Sequence, residues 1–97
     1  MPTYVILGNF TQEGITKIKD SPKRLEAAQK VAESLGGKIK KFYYTMGRYD
    51  FVAICKAPND EAMTKAILII SGAGAVRTET LKATPATEMA ELFKELP

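Results

Sequence analysis

The chain has 97 residues, with 14 Lys and Arg against 11 Asp and Glu, and it contains no His. We expect one domain over residues 1–97. Apolar residues make up 45% and charged residues 26%, the balance of a globular protein. The lack of His and the lone Cys55 exclude Ser-His-Asp and Cys-His catalysis, His-containing zinc sites, CxxC redox pairs and internal disulfides.

The chain offers no signal for a membrane or for export. Its longest uncharged run, Ala66 to Val76, has 11 residues, whereas a spanning helix needs about 20 apolar residues. The first residues, Met1 to Tyr4, lack the basic stretch and the cleavage pattern of a secretory signal. We therefore expect a cytoplasmic location without membrane contact.

The first half of the chain predicts a strand followed by a long helix. Thr3 to Phe10 is apolar at both alternating sets of positions, which indicates a buried strand. Thr11 to Lys19 has room for a short helical turn. Ser21 and Pro22 match an N-cap and a first helical residue. The apolar stripe of this helix is Leu25, Ala28, Ala32 and Leu35, and Gly36 and Gly37 end it.

The second half predicts a hairpin, a helix, a strand and a last helix. Lys38 to Met46 and Tyr49 to Lys56 read as strands joined by a tight turn at Gly47 and Arg48. A helix follows from Pro58-Asn59-Asp60 to about Ile70, then a strand from Gly72 to Ala83. Thr84 and Pro85 begin a C-terminal amphipathic helix over about residues 85–96, with Met89, Leu92, Phe93 and Leu96 on its apolar side.

This order predicts an α+β, ferredoxin-like βαββαβ fold with a four-stranded antiparallel sheet and a C-terminal helix. Two helices cover only one face of such a sheet. The strands are nevertheless apolar on both faces, with Phe42, Tyr44 and Met46 opposed to Ile39 and Tyr43, and Phe51, Ala53 and Cys55 opposed to Val52 and Ile54. We therefore expect a second copy to cover the other face, giving a homodimer or larger oligomer. The alternative is a monomer whose C-terminal helix folds back over its own sheet.

Three stretches resemble the GYD domain family, named for a Gly-Tyr-Asp signature. They are Thr11 to Ile15 with Lys19 to Pro22, Phe42 to Ile54, and Val76 to Leu81, and the resemblance runs from Thr3 to about Ala83. In this chain Arg48 stands between the Gly and the Tyr of the signature. The family is similar in fold to the dimeric α/β barrels, which implies two ferredoxin-like sheets packed face to face.

The turn from Gly47 to Asp50 is the first candidate site. Asp50 is the candidate catalytic base, with Arg48 or Arg77 nearby, and the alternative is a structural role as an acceptor of backbone N–H groups. Some proteins of the dimeric-barrel fold are cofactor-independent monooxygenases acting on aromatic substrates. By that analogy, ligand-binding candidates are Asn9, Tyr43, Arg48, Tyr49, Asp50 and Arg77, which otherwise satisfy one another across strands.

Three other readings have less support in the sequence. Lys17, Lys19, Lys23 and Arg24 gather near the start of the first long helix, where an anion or only solvent would meet them. Tyr49 and Phe51 have the spacing of base-stacking aromatics in an RNA-recognition motif, although a net charge of +3 is modest for nucleic-acid binding. Cys55 reads as a buried apolar residue.

We expect no cofactor and no metal site, since only scattered carboxylates remain as ligands. The sequence therefore predicts a homo-oligomeric GYD-type protein that binds a small organic molecule, with a regulatory role as one option. A cofactor-independent monooxygenase or isomerase is the enzymatic alternative, and an RNA-binding module is a further one.

Overall fold

The computed structural model describes residues Met1 to Pro97. Four strands form one sheet in the order β2-β3-β1-β4, and every neighbouring pair is antiparallel. This arrangement is the ferredoxin-like fold, so the predicted fold class is confirmed. In chain order the elements are β1 (Thr3–Phe10), α1 (Gln12–Thr16), a 3-10 turn (Ile18–Asp20), α2 (Ser21–Ser34), β2 (Lys38–Tyr44), β3 (Phe51–Lys56), α3 (Asp60–Gly72), β4 (Val76–Ala83) and α4 (Ala86–Phe93).

One face of the sheet packs against α2 and α3 and holds the core. The register places Tyr4 beside Cys55 and Ile6 beside Ala53, and all four side chains are buried. This alternation along β1 and β3 is the period of two that a strand imposes. The core is small, because only 12 of the 97 residues are buried. A single copy therefore leaves much apolar surface in contact with water.

The helix boundaries agree with the sequence except at the start of α2. Asn59 caps α3 as predicted, since its side-chain oxygen accepts a hydrogen bond from the backbone N–H of Ala62 at 2.9 Å. The prediction that Ser21 caps α2 is wrong. Ser21 is the first helical residue, and its hydroxyl lies 2.8 Å from the hydroxyl of Tyr44 instead. Gly36 follows the helix with φ of 82°, as a left-handed C-terminal cap requires.

The hairpin between β2 and β3 is longer and less regular than predicted. Its connection runs over residues 45–50, so Met46 lies in the loop, where it is 99% exposed. A bulge between Ile39 and Lys41 shifts the register of β2. Because the bulge adds a residue, Ile39 shares the helix-covered face with Phe42 rather than the face of Tyr43, contrary to prediction.

Helix α4 confirms the predicted C-terminal helix but lies apart from the sheet. It makes no extensive contact with any other element. Leu92 is 49% exposed and Phe93 is 58% exposed, so the apolar side of α4 is uncovered. The helix therefore does not shield the second face of the sheet within one chain. No helix combines the length and the apolar character that crossing a bilayer requires.

Candidate functional site

The face of the sheet opposite α2 and α3 carries a band of apolar side chains without a covering element. We call this surface the open face. The register brings Leu7 beside Val52 and Val5 beside both Ile54 and Leu81. Leu81 is 45% exposed, and Tyr43, opposite Val52, is 52% exposed. The centre of the open face consists of Val5, Leu7, Tyr43, Val52, Ile54 and Leu81.

One end of the open face is polar and contains most of the predicted site residues. Asn9 pairs with Arg77 in the register of β1 and β4. The side-chain amide of Asn9 donates to the carbonyl oxygen of Arg48 at 2.9 Å and to Oδ2 of Asp50 at 3.4 Å. The structure thus brings Asn9, Arg48, Asp50 and Arg77 together, as predicted, while Tyr43 stands on β2.

Asp50 holds the loop before β3 against the end of β1. Its Oδ2 accepts a hydrogen bond from the backbone N–H of Phe10 at 2.9 Å, and its own N–H donates to the carbonyl oxygen of Gly8 at 2.8 Å. Its carbonyl oxygen accepts from the N–H of Thr45 at 2.8 Å. Asp50 therefore replaces strand pairing where β1 and β3 separate, which is the structural alternative left open by the sequence.

Tyr49 and Glu79 form the second polar contact at this end. The hydroxyl of Tyr49 donates to Oε1 of Glu79 at 2.9 Å, and the guanidinium of Arg48 lies 6.0 Å from the centre of the Tyr49 ring. The hydrogen bond to Glu79 raises the pKa of Tyr49 above its ordinary value. Tyr49 therefore stays protonated at neutral pH and is a hydrogen-bond donor rather than a base.

A cavity of about 350 Å³ lies on the other side of the sheet, beneath α2 and α3. Of its 28 lining residues, 23 are hydrophobic, and its size falls within the range of small-molecule pockets. None of the six predicted ligand-binding residues lines it. A ligand role for those six residues stays a prediction, since they lie on the open face or at its end.

The cavity exists because the inner sides of the two helices are built from small residues. Alanine side chains do not fill the space between a helix and a sheet, and apolar voids destabilise in proportion to their volume. The sequence signal for the cavity was this alternation of alanines with larger residues, which the helix periodicity shows but does not translate into a volume. The alanines of α2 and α3 that line the cavity are Ala27, Ala28, Ala32, Ala62 and Ala66.

Aromatic side chains close one end of the cavity. The rings of Phe42 and Phe51 stack at 5.0 Å, and the ring of Phe10 lies 5.6 Å from that of Phe51. Ser21 and Arg24 of α2 line the cavity, and the Ser21 hydroxyl contacts Tyr44. These positions combine an apolar body with a charged group.

Cys55 also lines the cavity and is buried, as predicted. Burial raises the pKa of its thiol to about 11. The thiol is therefore protonated at neutral pH, and its reaction with thiol reagents requires access to the cavity.

The position of Phe51 removes the observation that suggested base stacking. Phe51 is 5% exposed and faces the helices, while Tyr49 precedes β3 in the loop. An RNA-recognition motif presents both aromatics on its open sheet face. At the corresponding place this chain presents Val52 and Ile54.

The polar turn, the sheet order and the two βαβ halves agree with one family of proteins. The model of the GYD domain family matches residues 4–93. The chain belongs to the GYD domain family. A curated protein of Thermus thermophilus, the glutamine synthetase and cystathionine beta-lyase binding protein, is 30% identical over 95 residues, which cover 97% of this GYD chain and 100% of the relative.

Solved structures place this GYD chain among proteins of similar fold. A second protein from Thermus thermophilus, of known structure, is 25% identical, with a TM-score of 0.57 over 89% of this chain and 96% of the other. The feast or famine regulatory protein of M. tuberculosis, solved with L-methionine, has a TM-score of 0.67 at 15% identity. The match covers 89% of the GYD chain but only 52% of that regulator, so this chain spans about half its length. The regulator therefore supports the fold alone.

Proposed function

We propose that this GYD protein is a homodimeric regulatory protein that binds a small organic molecule and an enzyme partner. The open face carries the proposal. It holds apolar side chains at the centre of a sheet that neither α2, α3 nor α4 covers. Large exposed apolar patches on soluble proteins mark interaction surfaces, and symmetric dimers are their commonest use.

The arrangement of the open face matches the anatomy of a protein interface. Interfaces have an apolar centre and a polar rim, in which Tyr and Arg are enriched. The open face has Leu7 and Val52 near its centre, with Arg48, Tyr49 and Arg77 at its polar end. In a face-to-face dimer we propose that this polar end forms the rim.

Binding, rather than catalysis, is supported by the state of the candidate proton-transfer groups. Oδ2 of Asp50 accepts from the N–H of Phe10 and from the amide of Asn9, and the Tyr49 hydroxyl is bonded to Glu79. A general base needs an oxygen or nitrogen directed at a substrate proton. The hydrogen bonds at these residues are those of a scaffold.

An enzyme partner is proposed from the relative in Thermus thermophilus. That protein is named for binding glutamine synthetase and cystathionine beta-lyase, and the alignment covers its full length. We propose that this chain likewise binds an enzyme of nitrogen or sulfur amino-acid metabolism, and that its cytoplasmic location follows from such a partner.

Two matched substitutions test the proposed dimer. Leu81→Lys places a charge on the open face at a half-exposed position, so the single subunit can still fold. Leu68→Lys makes the same change on α3, at a side chain that is 67% exposed and away from the open face. Light scattering is expected to give a dimer for the wild type and for Leu68→Lys, and a monomer for Leu81→Lys. A monomeric wild type at micromolar concentration contradicts the dimer.

The enzyme partner is tested by direct binding. Immobilised wild-type protein is expected to retain purified glutamine synthetase or cystathionine beta-lyase from the same organism. Retention of neither enzyme contradicts the proposed partner class while leaving the dimer unaffected.

A further inference from the structure

We propose that the cavity beneath α2 and α3 binds a hydrophobic monocarboxylate, with its carboxylate at Arg24 and its apolar body between the helices and the sheet. This inference rests on the small-molecule binding of the proposed function and names the site and the ligand class. It depends on three features of the cavity: its volume, its lining and the charge at its edge.

The lining defines the apolar body of the ligand. Hydrophobic residues make up 23 of the 28 that surround about 350 Å³ of space. Beneath the helices the walls are formed by Met63 and Cys55, and the aromatic end is formed by Phe10, Phe42 and Phe51. Such a surface favours hydrocarbon and disfavours a sugar, a nucleotide or a zwitterion, whose polar groups would lose their hydrogen bonds to water.

Arg24 defines the polar group of the ligand. Its guanidinium donates to the carbonyl oxygens of Lys17 at 3.0 Å and Gly14 at 3.3 Å. These neutral acceptors fix the guanidinium in place but do not balance its charge. The ion pairs of the chain involve only Lys65, Lys82 and Lys94, so no carboxylate lies within 4.0 Å of Arg24.

A carboxylate would complete the hydrogen bonding of this group. A guanidinium has five N–H donors, and the two backbone carbonyls leave others free for the two oxygens of a ligand carboxylate. Ser21 stands one helical turn before Arg24, on the same side of α2, and also lines the cavity. Its hydroxyl, already 2.8 Å from that of Tyr44, lies on the route along which a carboxylate would meet Arg24.

The buried thiol supplies a readout inside the cavity. Cys55 is the only cysteine, so a disulfide reagent reports on a single position. The probes are decanoate, decanol and decyltrimethylammonium, which share an apolar chain and differ in the charge of the head group. Decanoate is expected to slow modification of Cys55 at lower concentration than either of the other two.

Variants separate the ligand class from the site. Arg24→Gln is expected to weaken protection by decanoate about tenfold and to leave protection by decanol unchanged. Arg77→Gln removes the same charge from the open face and is expected to change neither. Ala28→Phe fills part of the cavity and is expected to weaken protection by all three probes, with circular dichroism confirming that the variant is folded.

The outcomes distinguish this inference from the proposed function. Equal protection by decanoate and decanol, or an unchanged response in Arg24→Gln, overturns the carboxylate assignment while leaving small-molecule binding intact. Protection that persists in folded Ala28→Phe overturns the cavity as the site. No protection by any probe overturns both the inference and small-molecule binding, whereas the mass of the protein in the same samples tests the dimer independently.

Discussion

Asp50 provides the sharpest separation between a structural and a catalytic role for the predicted site. Asp50→Ala removes the acceptor of the Phe10 N–H bond at 2.9 Å and of the longer Asn9 contact at 3.4 Å. One good hydrogen bond to a charged group contributes about 1.5–3 kcal/mol, and the longer contact adds little. We therefore expect Asp50→Ala to lower the free energy of unfolding by about 2 kcal/mol, and Asp50→Asn, which keeps a neutral acceptor, by about 1 kcal/mol.

For a domain of this size, about 2 kcal/mol lowers the melting temperature by roughly 8–16 °C. Urea unfolding followed by circular dichroism at one fixed protein concentration measures both variants, since dissociation of an oligomer contributes to the signal. Asp20→Ala is the matched control, because the side chain of Asp20 is exposed and makes no capping hydrogen bond. Stability of Asp50→Ala within about 0.5 kcal/mol of the wild type would refute the structural role. Loss of decanoate protection at unchanged stability would refute it as well.

Two further predictions concern the packing and the pH range of the fold. Gly8→Ala is expected to lose about 1–3 kcal/mol, because its Cβ would overlap the Phe51 ring, while Gly72→Ala, with no atom within 4 Å, should differ from the wild type by less than about 1 kcal/mol. Equal losses in urea unfolding would contradict this packing. The hydroxyl of Tyr4 donates to Asp60 at 2.5 Å, which raises the pKa of Tyr4 from 10.0 to about 12 and, together with a lysine of β4, lowers the pKa of Asp60. Stability is therefore lost as pH rises from about 10 towards 12, where only the unfolded state releases the Tyr4 proton, and also as pH falls through about 4 and below, where the unfolded state protonates Asp60 first. Tyr4→Phe should reduce the alkaline loss and Asp60→Asn the acid loss, and a pH profile of unfolding identical to that of the wild type in either variant would contradict the assignment.

The sequence was sufficient for features set by local pattern. The alternation of Phe51, Ala53 and Cys55 with Val52 and Ile54 identified the two faces of β3, and the Asn59 cap marked the start of α3. Both depend on residues within a few positions of one another, so their periodicity is visible without the fold.

Features that depend on distant residues were not predictable in the same way. The bulge in β2 is set by pairing with β3, and it moved Ile39 to the other face. The hydroxyl of Ser21 bonds to Tyr44, which is 23 residues away, and competes with the capping role expected from local sequence. The cavity arises from the combined shortfall of alanines on two helices, a volume that no single helix reveals.

The candidate site illustrates the same limit. The Gly47 to Asp50 turn was recognisable as a feature, and its proximity to Asn9 and Arg77 follows from strand order. That Asp50 would accept the N–H of Phe10, rather than face a ligand, depends on the path of the loop over residues 45–50. The separation of this turn from the cavity by the sheet could be read only from the assembled fold.

The proposed contact between the open faces of two copies is the feature on which the dimer depends. Sedimentation equilibrium of the wild-type protein, measured over a series of concentrations, tests it most directly. We expect a mass twice the 10.6 kDa of one chain at micromolar concentration, falling towards 10.6 kDa only on strong dilution. A mass of 10.6 kDa throughout the series would contradict the dimer.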